Sequence, residues 1–155
     1  MHRPTVWRVI RGWALGVAVL SSLSQTATAA EPAAQAQKNY RLYCMGCHGA
    51  EGAGSPRNGI PSMRDQVGHF LQLPEGRAYL SQVPGTLNTP LNDADTAELL
   101  NWVMAQIGRA SVPSDFQPYT TEQVRQYRAS VPQDIPALRI DLQRRLAQRQ
   151  LPVPP

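Results

Sequence analysis

Cysteine is scarce in this sequence, and the two cysteines present lie close together. Cys44 and Cys47 are the only thiols among 155 residues. A disulfide between them would close a very short loop, and the stabilisation that a disulfide gives grows with loop length. A disulfide-stapled scaffold is therefore disfavoured. A structural zinc site is disfavoured too, because such sites use about four ligands and the chain beyond residue 30 adds only His48 and His69 to the two thiols.

Long apolar runs are also lacking. The most apolar segment covers residues 13–20, far short of the roughly 20 residues that a membrane-spanning helix needs. Arg3, Arg8 and Arg11 precede this segment without any acidic residue, and small residues follow it up to position 30. A positive start, a short apolar centre and a small-residue end are typical of a secretory signal peptide. We therefore expect residues 1–30 to be removed and the mature protein to be periplasmic, without a membrane anchor.

A strong charge of one sign is missing once the signal segment is set aside. Twelve basic residues remain against eleven acidic ones, which gives a net charge of +1. A nucleic-acid-binding surface needs a clustered basic face, so we expect no nucleic-acid partner. The remaining charge is uneven, because residues 31–108 have five basic and seven acidic residues, whereas residues 109–155 have seven basic and four acidic ones. An acidic body is therefore followed by a basic tail.

Strand patterns and internal repeats are absent as well. No segment alternates apolar and polar residues as a half-buried strand would. The pattern instead predicts helices at residues 33–43, 66–71, 75–83 and 93–107. The last helix is the clearest, because Asn92 occupies the position of an N-cap and Gly108 follows its final residue. The sequence therefore predicts an all-α fold.

The composition changes after Gly108, where proline becomes frequent. Two helices are predicted in this part, at residues 121–129, which follow a capping box of Thr120 and Gln123, and at residues 135–150. The second helix has an apolar stripe with arginines around it: Leu138, Leu142 and Leu146, with Arg139, Arg144, Arg145 and Arg149. We expect a domain at residues 31–108 followed by a basic, proline-rich helical extension at residues 109–155. The stripe predicts either packing on that domain or docking on an acidic partner.

The segment Cys44-Met45-Gly46-Cys47-His48 is the most informative motif in the chain. Two thiols at this spacing can add to the two vinyl groups of one haem, and the adjacent imidazole then lies under the iron. A thioredoxin-like redox pair would need a βαβ context, which the helical pattern does not provide. We therefore predict one covalently bound haem, attached through Cys44 and Cys47, with His48 as the proximal iron ligand.

Residues 33–108 resemble the class I c-type cytochromes. The features that match are Tyr40 four residues before the first motif cysteine, a glycine-rich loop after the motif, Pro61 two residues before Met63, and Trp102 within the last helix. The resemblance implies a small cytochrome c fold around the haem, in which Tyr40 and Trp102 pack the last helix across the first. It also implies that the Pro61 carbonyl accepts a hydrogen bond from Nδ1 of His48 and thereby tunes the iron.

The chain departs from that family where the distal iron ligand is expected. The family usually has a methionine in the loop before the last helix, and residues 84–91 contain none. Three side chains of types that ligate haem iron remain as candidates: Met63, His69 and Met104. The other alternative is an open distal position, lined by Leu87 and Asn88.

These observations predict a periplasmic one-electron carrier with a single c-type haem. Its partners would be periplasmic redox proteins, namely a donor dehydrogenase and an acceptor oxidase or cytochrome. The sequence suggests no nucleophile paired with a base for other chemistry, because serine, aspartate and glutamate are scattered and His48 is committed to iron. Two alternatives remain: a haem protein that binds or reduces peroxide, CO or NO at an open distal site, and a haem subunit of a larger periplasmic oxidoreductase.

Overall fold

A computed structural model describes residues 30–155, so the predicted signal peptide at residues 1–30 lies outside the described residues except for Ala30. The described part is all-α, as the sequence predicts, and its only β-type pairing is an isolated bridge between Ser55 and Ile60. It has seven α-helices: α1 Ala30–Tyr43, α2 Met45–His48, α3 Gly76–Gln82, α4 Pro84–Leu87, α5 Asp93–Val103, α6 Thr121–Arg128 and α7 Ile135–Gln148. Three 3₁₀ turns accompany them, at Pro56–Asn58, Val67–Gln72 and Arg109–Ser111. One π turn covers Met104–Gly108. None of the helices in this range is long and apolar enough to cross a membrane.

Both helix starts that the sequence marks with capping residues are confirmed. The Asn92 side chain accepts a hydrogen bond from the Asp95 N–H at 2.8 Å and begins α5. Thr120 and Gln123 form the reciprocal capping box at the start of α6, with a distance of 3.2 Å for each of its two hydrogen bonds. Each arrangement satisfies N–H groups that have no acceptor within the helix itself.

The predicted helix at residues 93–107 changes pitch before its end. α5 stops at Val103 and continues as a π turn over Met104–Gly108. The Ile107 carbonyl in this turn accepts a hydrogen bond from the Asp65 N–H at 2.9 Å. A Cβ at Gly52 would lie 2.4 Å from the Ile107 side chain, so glycine there makes room for it. These contacts are with residues distant in sequence, and a π turn inside an α-helix is a feature that local periodicity does not indicate.

α1 packs across α5 through an aromatic pair. Tyr40 is buried, and its ring centroid lies 5.1 Å from that of Trp102 with an angle of 36° between the ring planes. The Tyr40 hydroxyl donates a hydrogen bond of 2.7 Å to the Gly49 carbonyl. Burial raises the pKa of Tyr40 to about 12, so the hydroxyl remains a neutral donor at neutral pH. These contacts fix the end of α1 beside the motif.

The extension at residues 109–155 packs on the domain that precedes it. Leu142 and Leu146 of α7 are fully buried in the same core cluster as Tyr40, and Leu138 packs against that cluster. The apolar stripe therefore faces its own domain, which is the first of the two arrangements that the sequence left open. A second cluster joins α5 to the extension through four buried side chains: Ala97, Leu100, Tyr119 and Val124.

Two arginines add polar contacts between the domain and its extension. Arg128 of α6 donates to the carboxylate of Asp93 at 2.8 Å and to the hydroxyl of Thr96 at 2.9 Å. Arg77 in α3 lies over the Tyr119 ring, with its guanidinium carbon 4.3 Å from the ring centroid. A guanidinium suits such positions because its five donors can meet several acceptors while its plane stacks on a ring.

Candidate cofactor site

The two thiols and the imidazole of the motif lie on one short helical turn. Cys44 joins the end of α1 to α2, which contains Cys47 and His48. The His48 N–H donates to the Cys44 carbonyl at 2.9 Å, and the Cys44 N–H donates to the Tyr40 carbonyl at 2.9 Å. Helical hydrogen bonding therefore continues from α1 into the motif and fixes the three side chains relative to α1. Both thiols are free, with Cys44 half-buried and Cys47 exposed.

Cys44, Cys47 and His48 line one cleft whose other walls are mostly apolar, and we call it the motif cleft. Its cavity volume is about 140 Å³, within an opening of about 680 Å³ that reaches solvent. The apolar walls come from the 3₁₀ turn Val67–Gln72, from α3 and the residue after it, and from α5: Val67, Leu80, Val83, Leu99, Leu100 and Val103. The cleft is therefore open to solvent on one side and mostly apolar on the others.

The glycine-rich loop after the motif brings Pro61 and Met63 beside His48. The Gly54 N–H donates to the His48 carbonyl at 2.9 Å, and the Met63 N–H donates to the Gly52 carbonyl at 2.7 Å. Gly54 has a φ of +68°, and a Cβ there would lie 2.5 Å from the Pro61 carbonyl oxygen. Only glycine permits both this backbone angle and this close approach. The loop can therefore hold the proline segment against the motif.

His48 is half-buried, and its surroundings act on the imidazole in two opposite ways. Burial lowers the pKa of His48, and the nearby Pro61 carbonyl opposes that shift. Nδ1 of His48 is buried and forms no hydrogen bond with any of the described residues. The ring and the Pro61 carbonyl are thus neighbours, but their approach falls short of a formed hydrogen bond. Buried donors rarely stay unpaired, and the Pro61 carbonyl is an acceptor near this imidazole.

The candidates for a second iron ligand lie in different places. Met63 and Met104 line the motif cleft together with His48. His69 belongs to the 3₁₀ turn Val67–Gln72 and is not among the side chains that line the cleft. Burial lowers the pKa of His69, and its Nδ1 is buried without a partner in the described part of the chain. The structure therefore brings the two thioethers to the motif, and it does not bring His69 there.

The segment before α5 meets the motif cleft through residues that the sequence did not predict. Gly85 and Thr86 line the cleft, whereas Leu87 and Asn88 do not. The prediction treated this segment as a loop, but Pro84–Leu87 forms the one-turn helix α4. Successive side chains of a helical turn point in different directions. The residues of this segment that line the cleft therefore lie two positions before the predicted Leu87 and Asn88.

Sequence reasoning also missed the wall that α3 contributes. Leu80 of α3 and Val83, the residue that follows the helix, line the motif cleft, but α3 has only seven residues. Two apolar residues near the end of so short a helix do not define which side faces a cofactor. Val103 and Met104, in contrast, belong to a set of apolar residues at helical spacing within residues 93–107, together with Ala97, Leu100 and Ile107, and that spacing was the available signal.

The donor set at the motif cleft fits a covalently bound haem. The described residues contain no group of three or more His, Cys, Asp and Glu side chains placed to hold a metal ion. Two thiols and one imidazole instead face an apolar cleft, which suits a hydrophobic ring with two thioether links and one axial nitrogen. A buried Nδ1 beside a backbone carbonyl also suits an imidazole whose other nitrogen binds a metal.

A second cavity, which we call the polar cavity, is lined by Trp102 of α5 and by three residues that follow this helix, Gln106, Ile107 and Arg109. Its volume is about 300 Å³, and polar side chains form much of its lining. It is more voluminous than the motif cleft, but no thiol or imidazole contributes to it. Because the residues that can bind a cofactor covalently all line the smaller cleft, the candidate cofactor site is the motif cleft.

Comparison of the chain with protein-family models, with curated proteins and with solved structures gave no match. The candidate site therefore rests on its own residues and their geometry.

Proposed function

We propose that this protein is a periplasmic one-electron carrier with a single c-type haem. The haem would be joined to Cys44 and Cys47 through thioether bonds, with His48 as an axial iron ligand. The observation that supports this most directly is the convergence of both thiols and the imidazole on one apolar cleft. The signal peptide predicted at residues 1–30 supports export to the periplasm.

When bound, the haem supplies reversible one-electron chemistry at its iron. The chain holds and tunes that group. Cys44 and Cys47 would hold the ring covalently, so His48 would bind the iron within one molecule and at little entropic cost. The Pro61 carbonyl near the imidazole would orient the ring and increase its basicity once Nδ1 donates a hydrogen bond to it. The apolar walls from α3 and α5 would reduce the contact of the bound group with water, which favours the iron state of lower charge.

The surroundings of the motif suit electron transfer to and from another protein. Cys47 is exposed, and the neighbouring Tyr43 and Met45 are 41% and 37% exposed. Large apolar side chains beside the mouth of a cleft suit a short-lived contact with a partner. The partners of the proposed carrier are a periplasmic dehydrogenase as donor and an oxidase or cytochrome as acceptor.

The test of this function is expression with a periplasmic haem-ligation system, followed by mass spectrometry of the denatured protein. We expect one haem that survives denaturation, on a chain that begins at residue 30 or 31. The double variant Cys44→Ala, Cys47→Ala should lose the covalent haem and accumulate poorly, because the free energy of cofactor binding also contributes to folding.

The matched control is His69→Leu, which keeps every residue of the motif and replaces a side chain outside the cleft lining. This variant should keep its haem and the absorption spectrum of the parent protein. A parent protein without covalent haem would refute the proposed function.

A second candidate function is the binding or reduction of a small ligand at the iron. The segment before α5 supports this function, because the residues with which it lines the cleft are Gly85 and Thr86. Neither residue type is a usual haem ligand, so this segment would leave an iron position open. Carbon monoxide distinguishes the two functions. A carrier with both axial positions filled should keep its reduced spectrum under CO, whereas immediate formation of a CO adduct would favour the ligand-binding function.

A further inference from the structure

α5 and the π turn after it contribute side chains both to the motif cleft and to the polar cavity. Leu99 and Val103 line the cleft, whereas Trp102 and Gln106 line the polar cavity. The polar cavity has a volume of about 300 Å³, so it has room for a small organic molecule. Its lining includes two arginines, a glutamate, two amides and an indole: Arg64, Arg109, Glu51, Gln37, Gln106 and Trp102.

The two arginines of this cavity differ in how their charge is balanced. Arg64 forms an ion pair with Glu51, which lines the same cavity. Arg109 donates from Nε to the Gln106 carbonyl at 2.6 Å, and no carboxylate within residues 30–155 forms an ion pair with it. Residues 1–29 contain no Asp or Glu. One positive charge of the cavity is therefore not neutralised by this chain.

The backbone holds Arg109 in an unfavourable conformation beside the cavity. Its φ is +39° and its ψ is −110°, a combination that a non-glycine residue rarely adopts. Hydrogen bonds hold the backbone at and before this residue, since the Ile107 carbonyl accepts from Asp65 at 2.9 Å and the Arg109 carbonyl accepts from Val112 at 3.0 Å. Backbone strain of this kind clusters at ligand sites, where it keeps a side chain in a binding position.

We propose that the polar cavity binds a small organic carboxylate, at a site separate from the motif cleft. The guanidinium groups of Arg64 and Arg109 offer paired donors that match the plane of a carboxylate. The indole of Trp102 and the side chain of Ile107 provide an apolar wall for a short hydrocarbon body. Glu51 already pairs with Arg64, so the ligand's carboxylate neutralises chiefly the charge of Arg109.

The experiment is calorimetric titration of the purified full-length protein with propionate. Propionamide, which has the same size without the charge, and inorganic phosphate are titrated in parallel. We expect saturable binding of one propionate, no binding of propionamide, and weaker binding of propionate as the salt concentration rises. Since none of the six residues lines the motif cleft, the outcome is independent of whether haem is attached there.

Three substitutions assign the binding to these side chains. Arg109→Gln and Arg64→Gln should each weaken propionate binding about tenfold or more, because each removes a charge-assisted hydrogen bond. Glu51→Gln should strengthen binding, because it releases Arg64 from its internal partner. Arg57→Gln is the matched control, since Arg57 is exposed and does not line the cavity, and it should leave the affinity unchanged.

The proposal is overturned if propionate does not bind saturably, or if its affinity is the same in Arg64→Gln, Arg109→Gln and the parent protein. Binding of phosphate without binding of propionate would overturn the assignment to a carboxylate. Equal affinities for propionate and propionamide would do the same, because they would show that the charge is not recognised.

Discussion

Gly54 is the residue whose backbone most directly connects the loop to the motif. Its N–H donates to the His48 carbonyl, and a Cβ on it would meet the Pro61 carbonyl oxygen at 2.5 Å. Gly54→Ala should therefore lower the free energy of unfolding by about 2 to 5 kcal/mol, since left-handed strain and overpacking both contribute. Chemical denaturation measures this loss.

Gly59 provides the matched comparison for this prediction. It has a similar φ of +73°, but a Cβ there would have no neighbour within 4 Å. Gly59→Ala should therefore lower the free energy of unfolding by only about 1 kcal/mol, because the strain of the backbone angle is the single contribution. Equal losses in the two variants would mean that the contact between the loop and Pro61 is unimportant for stability.

Among individual residues, the sequence predicted the placement of those that lie together because they are close in the chain. Cys44, Cys47 and His48 lie on one helical turn because they are close in sequence, and all three line one cleft. Thr86 and Leu80 could not be predicted in the same way. Their place in the cleft depends on how α3 and α4 dock on the rest of the domain, and that docking leaves no local pattern in a short helix.

The contact between α6 and α5 depends on a partly buried arginine. Arg128 pairs with Asp93 at 2.8 Å, and these two side chains are only 18% and 28% exposed. Arg128→Met should lower the free energy of unfolding by about 2 to 4 kcal/mol, because Asp93 and Thr96 lose their charged donor where little water replaces it. Thermal and urea denaturation both report the change.

Arg125 of the same helix provides the control for this substitution. It pairs with Glu122 within α6, and both side chains are more than half exposed. Exposed ion pairs contribute little to stability, so Arg125→Met should unfold at nearly the same urea concentration as the parent protein. If Arg125→Met and Arg128→Met were equally stable, the pair with Asp93 would not anchor α6.

Helix ends were the most predictable feature of the individual elements, and helix pitch was the least. Asn92 and Thr120 begin α5 and α6 as the sequence indicates, because a cap acts through residues two or three positions away. The π turn Met104–Gly108 was not predicted. It involves the distant Asp65 and Gly52, whose approach to Ile107 exists only in the folded chain.

For the molecule as a whole, the extension at residues 109–155 completes the core. Leu142 is fully buried in the main core cluster, so Leu142→Ala should lower the free energy of unfolding by about 2 to 5 kcal/mol. Ile140 in the same helix is 57% exposed, and Ile140→Ala should change it by less than about 0.5 kcal/mol. Urea denaturation of the two variants provides the comparison.

Equal stability of these two variants would instead favour a docking role for the extension. If Leu142→Ala and Ile140→Ala were equally stable, α7 would contribute nothing to the core in solution, and its apolar stripe would be free for a partner. Docking of an acidic partner on the extension stays a prediction. Arg144 of α7 and Arg149 just after it are exposed and could take part, whereas Leu142 and Leu146 of the stripe are buried.

The motif and the α5 wall of its cleft are about 50 residues apart in the chain. Contacts across such a separation form late, because closing a long loop costs entropy before any contact is gained. The helical hydrogen bonds that lead into Cys44 are local, so we expect the motif to acquire its shape before the walls of its cleft form. For the proposed haem protein, this order would leave both thiols open to an attachment enzyme after export, and the attached ring would then become the surface on which the rest of the core condenses.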